Sequence, residues 1–580
     1  MANLEIVSRF PKRFPLAVVR LSLMALAVGS LASYGTMGFR YLCEVLPQCF
    51  YSKTGGSMTF AFAGIPAWQL VTGLTAAGVI IGCAPKLLRF DRFQNPADVI
   101  IASHEGEAKI PVKEGAYSAI FSAFAIGMGA PVGRYGPAVH LGASIGSWLG
   151  QCLRMTRRAR QTLLGCGVAS AISASFDAPI AGVIFAHEVI IGHYSLRAFA
   201  PITIASVLGN LLPRLHDYEF TALRLGNPVG VHGAWDHLIF ALIGLIGALV
   251  SIGFMQSMLH SSKWIKKSPL PHWSHPALAG LIAGLVGIKL PQVLGLGDEV
   301  IFGILSQTPD VLFFSIGTVI TLLVAKLVVT SLAIGCRIPG GVFAPSLFLG
   351  AMLGAAIALI CGVREDYQVC VLVGMGAVIS SVVGAPISTI LIVFELTRNY
   401  DAATAVMIGV VVANAFVTRT YARSYFHRQI RLSGIDLDRG MELRNLEGRT
   451  IGQIMRTQWL SVSPNTPLSV VEDLICRHRN QDLYVIDSDG HLEGKIEPVD
   501  LLAERAETAG EISREPGVVF SVDESVAAGL EVVGQFAGNS LPVVESLETG
   551  KLAGIVTEND FVRAYNDAVI EARDERRGYS

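Results

Sequence analysis

The sequence predicts an all-α polytopic membrane protein with two related structural repeats and broken helices, followed by a C-terminal α/β pair of small modules. Three observations carry that prediction. Of 580 residues, 52% are hydrophobic and only 16% charged, with a mean hydropathy of +0.51, a balance too apolar for an ordinary soluble enzyme. A glycine-proline helix start at Gly133-Arg134-Tyr135-Gly136-Pro137 returns as Gly341-Val342-Phe343-Ala344-Pro345. Beyond about Ala422 the long apolar runs give way to the mixed charged and apolar texture of a soluble domain, the change falling near Arg423 to Arg444.

The first of these helix starts opens an apolar helix through Leu141, Gly142 and Gly146. Proline at a first helical position leaves no donor unmet, and the glycines let the backbone approach something closely. The free N–H groups and the positive end of the helix dipole can replace part of an anion's water shell, so such a start favours an anion. A lone turn of this kind only starts a helix; the repetition gives it weight. Gly341, Pro345, Leu349, Gly350 and Gly354 follow Gly133, Pro137, Leu141, Gly142 and Gly146 at a constant offset of 208. Downstream, Gly167, Ala178-Pro179 and Glu188 match Gly374, Ala385-Pro386 and Glu395 at an offset of 207. Two related membrane halves whose broken helices meet at a central site account for this pattern.

Taken in order, Arg9, Lys12, Arg13 and Arg20 precede an apolar run from about Leu21 to Met37, longer than a signal peptide requires. It reads as a first membrane helix with a cytoplasmic N-terminus. Ala67 to Ile81 follows, then a basic and polar loop from Lys86 to Gln94, and then Tyr117 to Ala130, Pro137 to Leu149, Leu163 to Ala174, Pro179 to Ile191 and Ala200 to Leu212. The second half reads Leu238 to Met258, Ala277 to Ile288, Phe313 to Ile334, Ala344 to Cys361, Val369 to Val383, Ile387 to Leu396 and Ala403 to Phe416. Several fall short of the roughly 20 residues that span a bilayer, and helices that stop partway need ends buried in protein or facing a water-filled cavity. The 9 cysteines are scattered without a CxxC pair, which is neither a disulfide framework nor a metal site. A net charge of −1 carries no nucleic-acid signature.

Ionisable residues inside a membrane are informative because they are costly. Arg134 beside the helix start reads as a structural arginine satisfying loop carbonyls in preference to a direct ion contact. Glu188 and Glu395, at equivalent repeat positions, share a packing or capping role ahead of any proton-carrying one. His140 and His187 read as interior hydrogen-bonding groups rather than proton relays, and Lys326 snorkels or pairs.

At this point the residues resemble the CLC family of chloride channels and chloride/proton exchangers, over essentially the whole chain. Gly133 to Pro137 is similar to the family's G-[KR]-E-G-P element and Gly341 to Pro345 to its G-x-F-x-P element. Ser175-Phe176-Asp177-Ala178-Pro179 through Phe185 and Glu188 resembles the helix after the first element. The resemblance implies that the two structural repeats are inverted, and a homodimer with one pathway per subunit for chloride or another small anion, held by helix N-termini. The anion-binding positions it implies are Arg134, Tyr135, Gly136, Pro137, Gly341, Val342, Phe343 and Ala344, with Tyr425 or Phe426 at the family's inner tyrosine. Three departures stand out. Tyr135 replaces the gating glutamate; a phenol with an ordinary pKa near 10 stays neutral, yet can donate a hydrogen bond to an anion or plug the path by bulk. Val189 stands at the inner proton-glutamate position. Arg92-Phe93-Gln94-Asn95-Pro96 keeps only the proline of the G-S-G-I-P element, so Gln94 or Asn95 reads as a solvated loop amide in preference to an ion ligand.

The tail repeats on a finer scale. Leu483-Tyr484-Val485-Ile486, a turn around Asp489-Gly490, then Gly494 and Asp500 match Leu541-Pro542-Val543-Val544, a turn near Gly550, then Gly554 and Asp560. Apolar strands with helices between them (Leu468 to Cys476; Val526 to Phe536) resemble a tandem of CBS modules. The division is then a membrane domain over 1–430, a linker over 431–446, modules over 447–508 and 509–568, and a tail over 569–580. The resemblance implies one adenine-nucleotide site at most, at Thr557 and Asp560, since Glu497 in the first module would repel phosphate; no cofactor is required.

The expected function is passive, proton-uncoupled chloride transport through a path bounded by Tyr135. The alternative is a chloride/proton exchanger with a non-standard proton route through His140 or His187, and a CBS-regulated magnesium transporter is less favoured because acidic residues are sparse in the membrane part. No H-E-x-x-H or comparable cluster points to an intramembrane enzyme. The expected location is the inner cell membrane, with the N-terminus and tail cytoplasmic.

Overall fold

Apolar runs of this length can satisfy their backbone groups in a membrane only as helices, and the computed structural model shows them so. It describes residues 14–51, 62, 64–104, 107–216, 234–305, 315–363, 366–435, 446–478, 481–502, 506–534 and 539–577. Arg9, Lys12, Arg13, Phe313, most of the 431–446 linker, Phe536 and the last three residues of the tail lie outside these. The chain forms two compact units, Met1–Asp436 and Leu437–Ser580.

In the first unit α1 (Phe14–Tyr51) is longer than its apolar run, because the helix continues through an i,i+4 pair of Arg40 and Glu44, 2.9 Å apart. After α2 (Ala67–Leu88) comes a helix absent from the sequence reading, α3 (Pro96–His104), only nine residues long and without an apolar run to betray it. Its start is fixed locally: Asn95 Oδ1 accepts from Ala97 N–H and Asp98 accepts from Asn95 N–H, both at 2.8 Å. The first half continues through α4 (Val112–Gly127), α5 (Tyr135–Cys152), α6 (Arg157–Phe176), α7 (Pro179–Phe185) with a π-helical extension Ala186–Ile191, and α8 (Leu196–Leu215). The second half has α9 (Ala234–Lys267), α10 (His275–Lys289), a second unforeseen short helix α11 (Asp298–Leu305), and α12 (Ile316–Gly335). It ends with α13 (Phe343–Cys361), α14 (Tyr367–Val383), α15 (Pro386–Thr397), α16 (Tyr400–Thr420) and α17 (Tyr425–Leu432). Seven helices among the described residues are long and apolar enough to cross a membrane, whereas Pro179–Ile191, Tyr367–Val383 and Pro386–Thr397 are apolar but shorter. Those short ones are the broken helices.

The matched glycines do the same job twice. A Cβ on Gly142 would stand 2.3 Å from the Gly167 carbonyl oxygen, and one on Gly350 would stand 2.3 Å from that of Gly374, so α5 meets α6 and α13 meets α14 backbone to backbone. α13 is buried over most of its length, which its all-round apolar sequence requires.

The second unit holds two three-stranded sheets. In one, β1 (Leu460–Val462) runs parallel to β2 (Leu483–Ile486), with α18 (Leu468–Arg477) between them, and β2 pairs antiparallel with β3 (Leu492–Ile496). In the other, β4 (Phe520–Ser521), α19 (Val526–Val533), β5 (Leu541–Val544) and β6 (Leu552–Val556) repeat the order, and α20 (Glu558–Arg577) closes the chain. The hairpins turn at Gly490 and Gly550, both at positive φ. Each module's lead-in pairs with the other's last strand: Arg456 exchanges hydrogen bonds with Ile555 (2.8 and 3.0 Å), and Arg514 with Lys495 (2.9 and 2.8 Å).

Candidate functional site

Two helix starts are tied together at the centre of the membrane unit. Gly133 N–H donates to Gly341 O and Gly341 N–H to Gly133 O, both at 2.7 Å, so the loops before α5 and α13 form a reciprocal antiparallel pair. A methyl group on Gly136 would lie 2.9 Å from Gly341 Cα and 3.5 Å from Pro96 Cγ, so glycine is required and α3 is drawn into the same junction. The first intrahelical bonds run from Ala138 N–H to Arg134 O (3.2 Å) and from Ser346 N–H to Val342 O (3.0 Å). The N–H groups of Tyr135, Gly136, Phe343 and Ala344 make no hydrogen bond within the described residues, while Pro137 and Pro345 bring none. Four backbone donors at two dipole ends are thereby left for an acceptor from outside.

Tyr135 sits buried over this junction. Its ring stacks on Phe176, with centroids 4.1 Å apart, and meets Phe343 edge-on at 6.2 Å; Phe343 in turn contacts Phe185 at 5.6 Å. The Arg134 guanidinium lies 5.4 Å from the ring centroid and pairs with Asp298 at 3.2 Å. This corrects the expected partner of Arg134 from loop carbonyls to a carboxylate. A cavity of about 80 Å³ lies against the group, lined by Arg40, Arg134, Tyr135, Phe176, Asp298 and Thr389 among others.

Elsewhere in the unit the repeats cap each other. Glu188 accepts from Ile387 N–H (3.0 Å), Ser388 N–H (2.9 Å) and Ser388 Oγ–H (2.6 Å) at the start of α15. Glu395 accepts from Ile180 N–H (3.0 Å) and Ala181 N–H (2.8 Å) at the start of α7. The shared capping role expected of this pair is met, across the repeats rather than within them.

The remaining residues divide. Val189 is buried in the π-helical turn. Gln94 is no solvated amide: its Nε2 donates to Glu114 and its N–H to Ser118 Oγ (2.8 Å), while Asn95 serves as the cap of α3. Tyr425 and Phe426 are both buried at the start of α17, their rings 5.7 Å apart, and neither makes a ring contact with Tyr135. His140 and His187 are each buried with an Nε2 that has no hydrogen-bond partner among the described residues. Lys326 does not snorkel, being fully buried, and makes no ion pair among the described residues; its Nζ donates to Val293 O (2.9 Å) and Gly295 O (2.8 Å).

In the tail, Thr557 and Asp560 come together, but Asp560 already accepts from Arg456 Nε (3.0 Å) and from the Thr557 N–H (3.0 Å) and hydroxyl (2.7 Å). Burial alone would raise the Asp560 pKa; the hydrogen bonds from Arg456 and Thr557 outweigh it and hold the carboxyl below its ordinary range. Asp500 of the first module and Arg514 from the lead-in of the second form the equivalent pair at 2.6 Å. Glu497 is no bare negative charge either, since Lys495 Nζ lies 2.8 Å from it and 2.8 Å from Asp482. Asp487, Asp489 and His491 also cluster, where Asp487 closes the hairpin by accepting from the His491 and Asp489 N–H groups.

A family model described as voltage gated chloride channel matches residues 77–418, and the CBS domain model matches 451–507 and 509–567. The voltage-gated ClC-type chloride channel ClcB of Salmonella typhimurium is 28% identical over 419 residues, covering 70% of this chain and 98% of that protein. The crystal structure of a slow cyanobacterial Cl−/H+ antiporter is similar over 71% of this chain and 98% of its own, with a TM-score of 0.61 at 20% identity. That of a eukaryotic CLC transporter is similar over 94% of this chain and 98% of its own, with a TM-score of 0.62 at 20% identity. At such identities the two structures speak for the fold, the second for the tail as well.

Proposed function

Because the chain belongs to the voltage gated chloride channel family, whose members are integral membrane anion transporters, we propose that it moves chloride passively, without proton coupling, past Tyr135. The observation that carries this reading is the pair Tyr135 and Val189 at the two positions where the family's exchangers carry glutamate. A carboxylate at the first can swing into the anion site, compete there and carry a proton; a neutral phenol does neither. At the second, a buried valine has no proton to pass. What remains is anion chemistry. The open N–H groups of Tyr135, Gly136, Phe343 and Ala344 replace water around the ion, the two helix dipoles favour its charge, and Tyr135 sets the width of the path beside them. The subunit works as one half of a homodimer in the inner membrane, with the N-terminus and CBS pair in the cytoplasm. The CBS pair holds no more than one adenine nucleotide, at Thr557 and Asp560.

A second reading has one observation in its favour. The Nε2 atoms of His140 and His187, without a hydrogen-bond partner among the described residues, are groups that water could link into a proton route, making the protein an exchanger. The two readings separate in liposomes: an acid step without an anion gradient drives chloride flux only in an exchanger.

A further inference from the structure

The carboxylate at the proposed nucleotide site is already full. Asp560 Oδ2 accepts from the Thr557 N–H (3.0 Å) and hydroxyl (2.7 Å), and Arg456, reaching over from the first module's lead-in, donates to both oxygens, from Nε at 3.0 and 3.2 Å and from Nη2 at 2.9 Å. A carboxylate offers about four lone-pair sites, so the two hydroxyls of a ribose can bond it only after a donor has left. The Thr557 N–H belongs to the backbone and stays. Arg456 is the donor able to leave: its side chain is 52% exposed against 9% for Asp560, and an ion pair in contact with water is held weakly. Its main chain, by contrast, is fixed. Arg456 exchanges two backbone hydrogen bonds with Ile555, and a Cβ on Gly554 would stand 2.8 Å from the Arg456 carbonyl oxygen, so the lead-in lies against β6, the strand that runs into α20. A released guanidinium therefore stays tethered beside the site. The first turn of α20 holds Glu558 as well as Asp560, two carboxylates that a phosphate would meet with no cation to offset them if Arg456 were absent.

We propose that Arg456 is a two-position latch that regulates this site: it closes Asp560 when the site is empty and, displaced by the ribose hydroxyls, turns to bind the phosphates of the nucleotide. The inference rests on the nucleotide reading above. The site is then selective for nucleotides over nucleosides. A nucleoside must break the Arg456–Asp560 pair and gives nothing back, whereas phosphate oxygens offer the planar guanidinium fork a bidentate partner of the same kind. Arg514 holds Asp500 at 2.6 Å in the same way, an equivalent ion pair between the modules that has Glu497 where the first has Thr557.

The test is titration calorimetry of the purified full-length protein with adenosine and with ATP, folding being checked by thermal melting. Wild-type protein should bind ATP more tightly than adenosine. Arg456→Met removes the guanidinium and keeps an apolar stem. Adenosine should then bind several-fold tighter, the order of an exposed ion pair, and the preference for ATP should fall roughly ten-fold or more, the order of a lost hydrogen bond between charged groups. Unchanged adenosine affinity, or an undiminished preference for ATP, overturns the proposal. Arg514→Met cuts the counterpart pair and should leave both affinities as in wild type; the same changes in both variants overturn the proposal, since loosening of the paired modules would then explain them. If Arg456→Met does not fold, wild-type protein answers through salt. Screening weakens the latch, so added salt should tighten binding of uncharged adenosine while weakening that of ATP, and adenosine binding that stays constant or weakens overturns the proposal. Wild-type protein and Arg456→Met that both bind neither compound would instead remove the nucleotide reading on which it rests.

Discussion

Removing the Tyr135 ring and removing only its hydroxyl should have opposite consequences, and the structure sets their sizes. The ring is buried, stacked at 4.1 Å on Phe176, and borders a cavity of about 80 Å³. Tyr135→Ala therefore deletes a packed aromatic group and joins its volume to an existing space. That costs about 3 to 5 kcal/mol of stability, by analogy with buried phenylalanine truncations, and should raise chloride flux per folded protein. Tyr135→Phe keeps the stacking and deletes only the donor. A hydrogen bond to a charged partner is worth about 1.5 to 3 kcal/mol, so chloride affinity should fall roughly ten-fold or more. Flux into liposomes reports the first effect and titration calorimetry the second. Flux that does not rise in Tyr135→Ala refutes the ring as a barrier; affinity unchanged in Tyr135→Phe refutes the hydroxyl as a ligand and leaves the four backbone donors alone.

Three further outcomes are expected. Glu188→Ala strips three hydrogen bonds from the start of α15 and should lower stability by about 1 to 2 kcal/mol in denaturant unfolding, without changing the proton-to-chloride ratio; wild-type stability would show the cap to be idle. Gly136→Ala should abolish transport, since the added methyl meets Gly341 Cα at 2.9 Å and forces the paired loops apart; normal flux would show that the junction yields. In the tail, Asp560→Ala should abolish nucleotide binding, with two sites per subunit contradicting the assignment. Because hydrogen bonding lowers the folded pKa of Asp560, its contribution to stability is present above the ordinary value of 3.8 and lost as pH falls through the lower folded value. Asp560→Asn should lower the thermal midpoint at pH 7 and remove part of the drop below pH 4, and a wild-type acid profile in that variant would refute the pair's role.

Much of the site was legible because the chain states it twice. The constant offsets linking Gly142 with Gly350 and Glu188 with Glu395 pointed to equivalent jobs, and the structure gives them as matching backbone contacts and crossed caps. Periodicity cannot reveal a partner that has no repeat copy. Asp298 lies far along the chain from Arg134 in an eight-residue helix too short to register as an apolar run, so the ion pair beside Tyr135 was invisible. α3 escaped for the same reason. Lys326 was misjudged because snorkelling presumes a helix end near water, whereas carbonyls released by an irregular loop wait for it inside the protein. In the tail, the motif Thr557-x-x-Asp560 was readable, but the arginine that occupies its carboxylate comes from the other module's lead-in, a pairing that only the exchanged strands create.

That Tyr135 and Val189 leave the anion path without a proton carrier can be read from the reversal potential of purified protein in a bilayer under opposed chloride and proton gradients. The reversal potential should follow chloride alone and stay fixed when the proton gradient is changed. A potential that shifts with pH at a fixed chloride-to-proton ratio would contradict it.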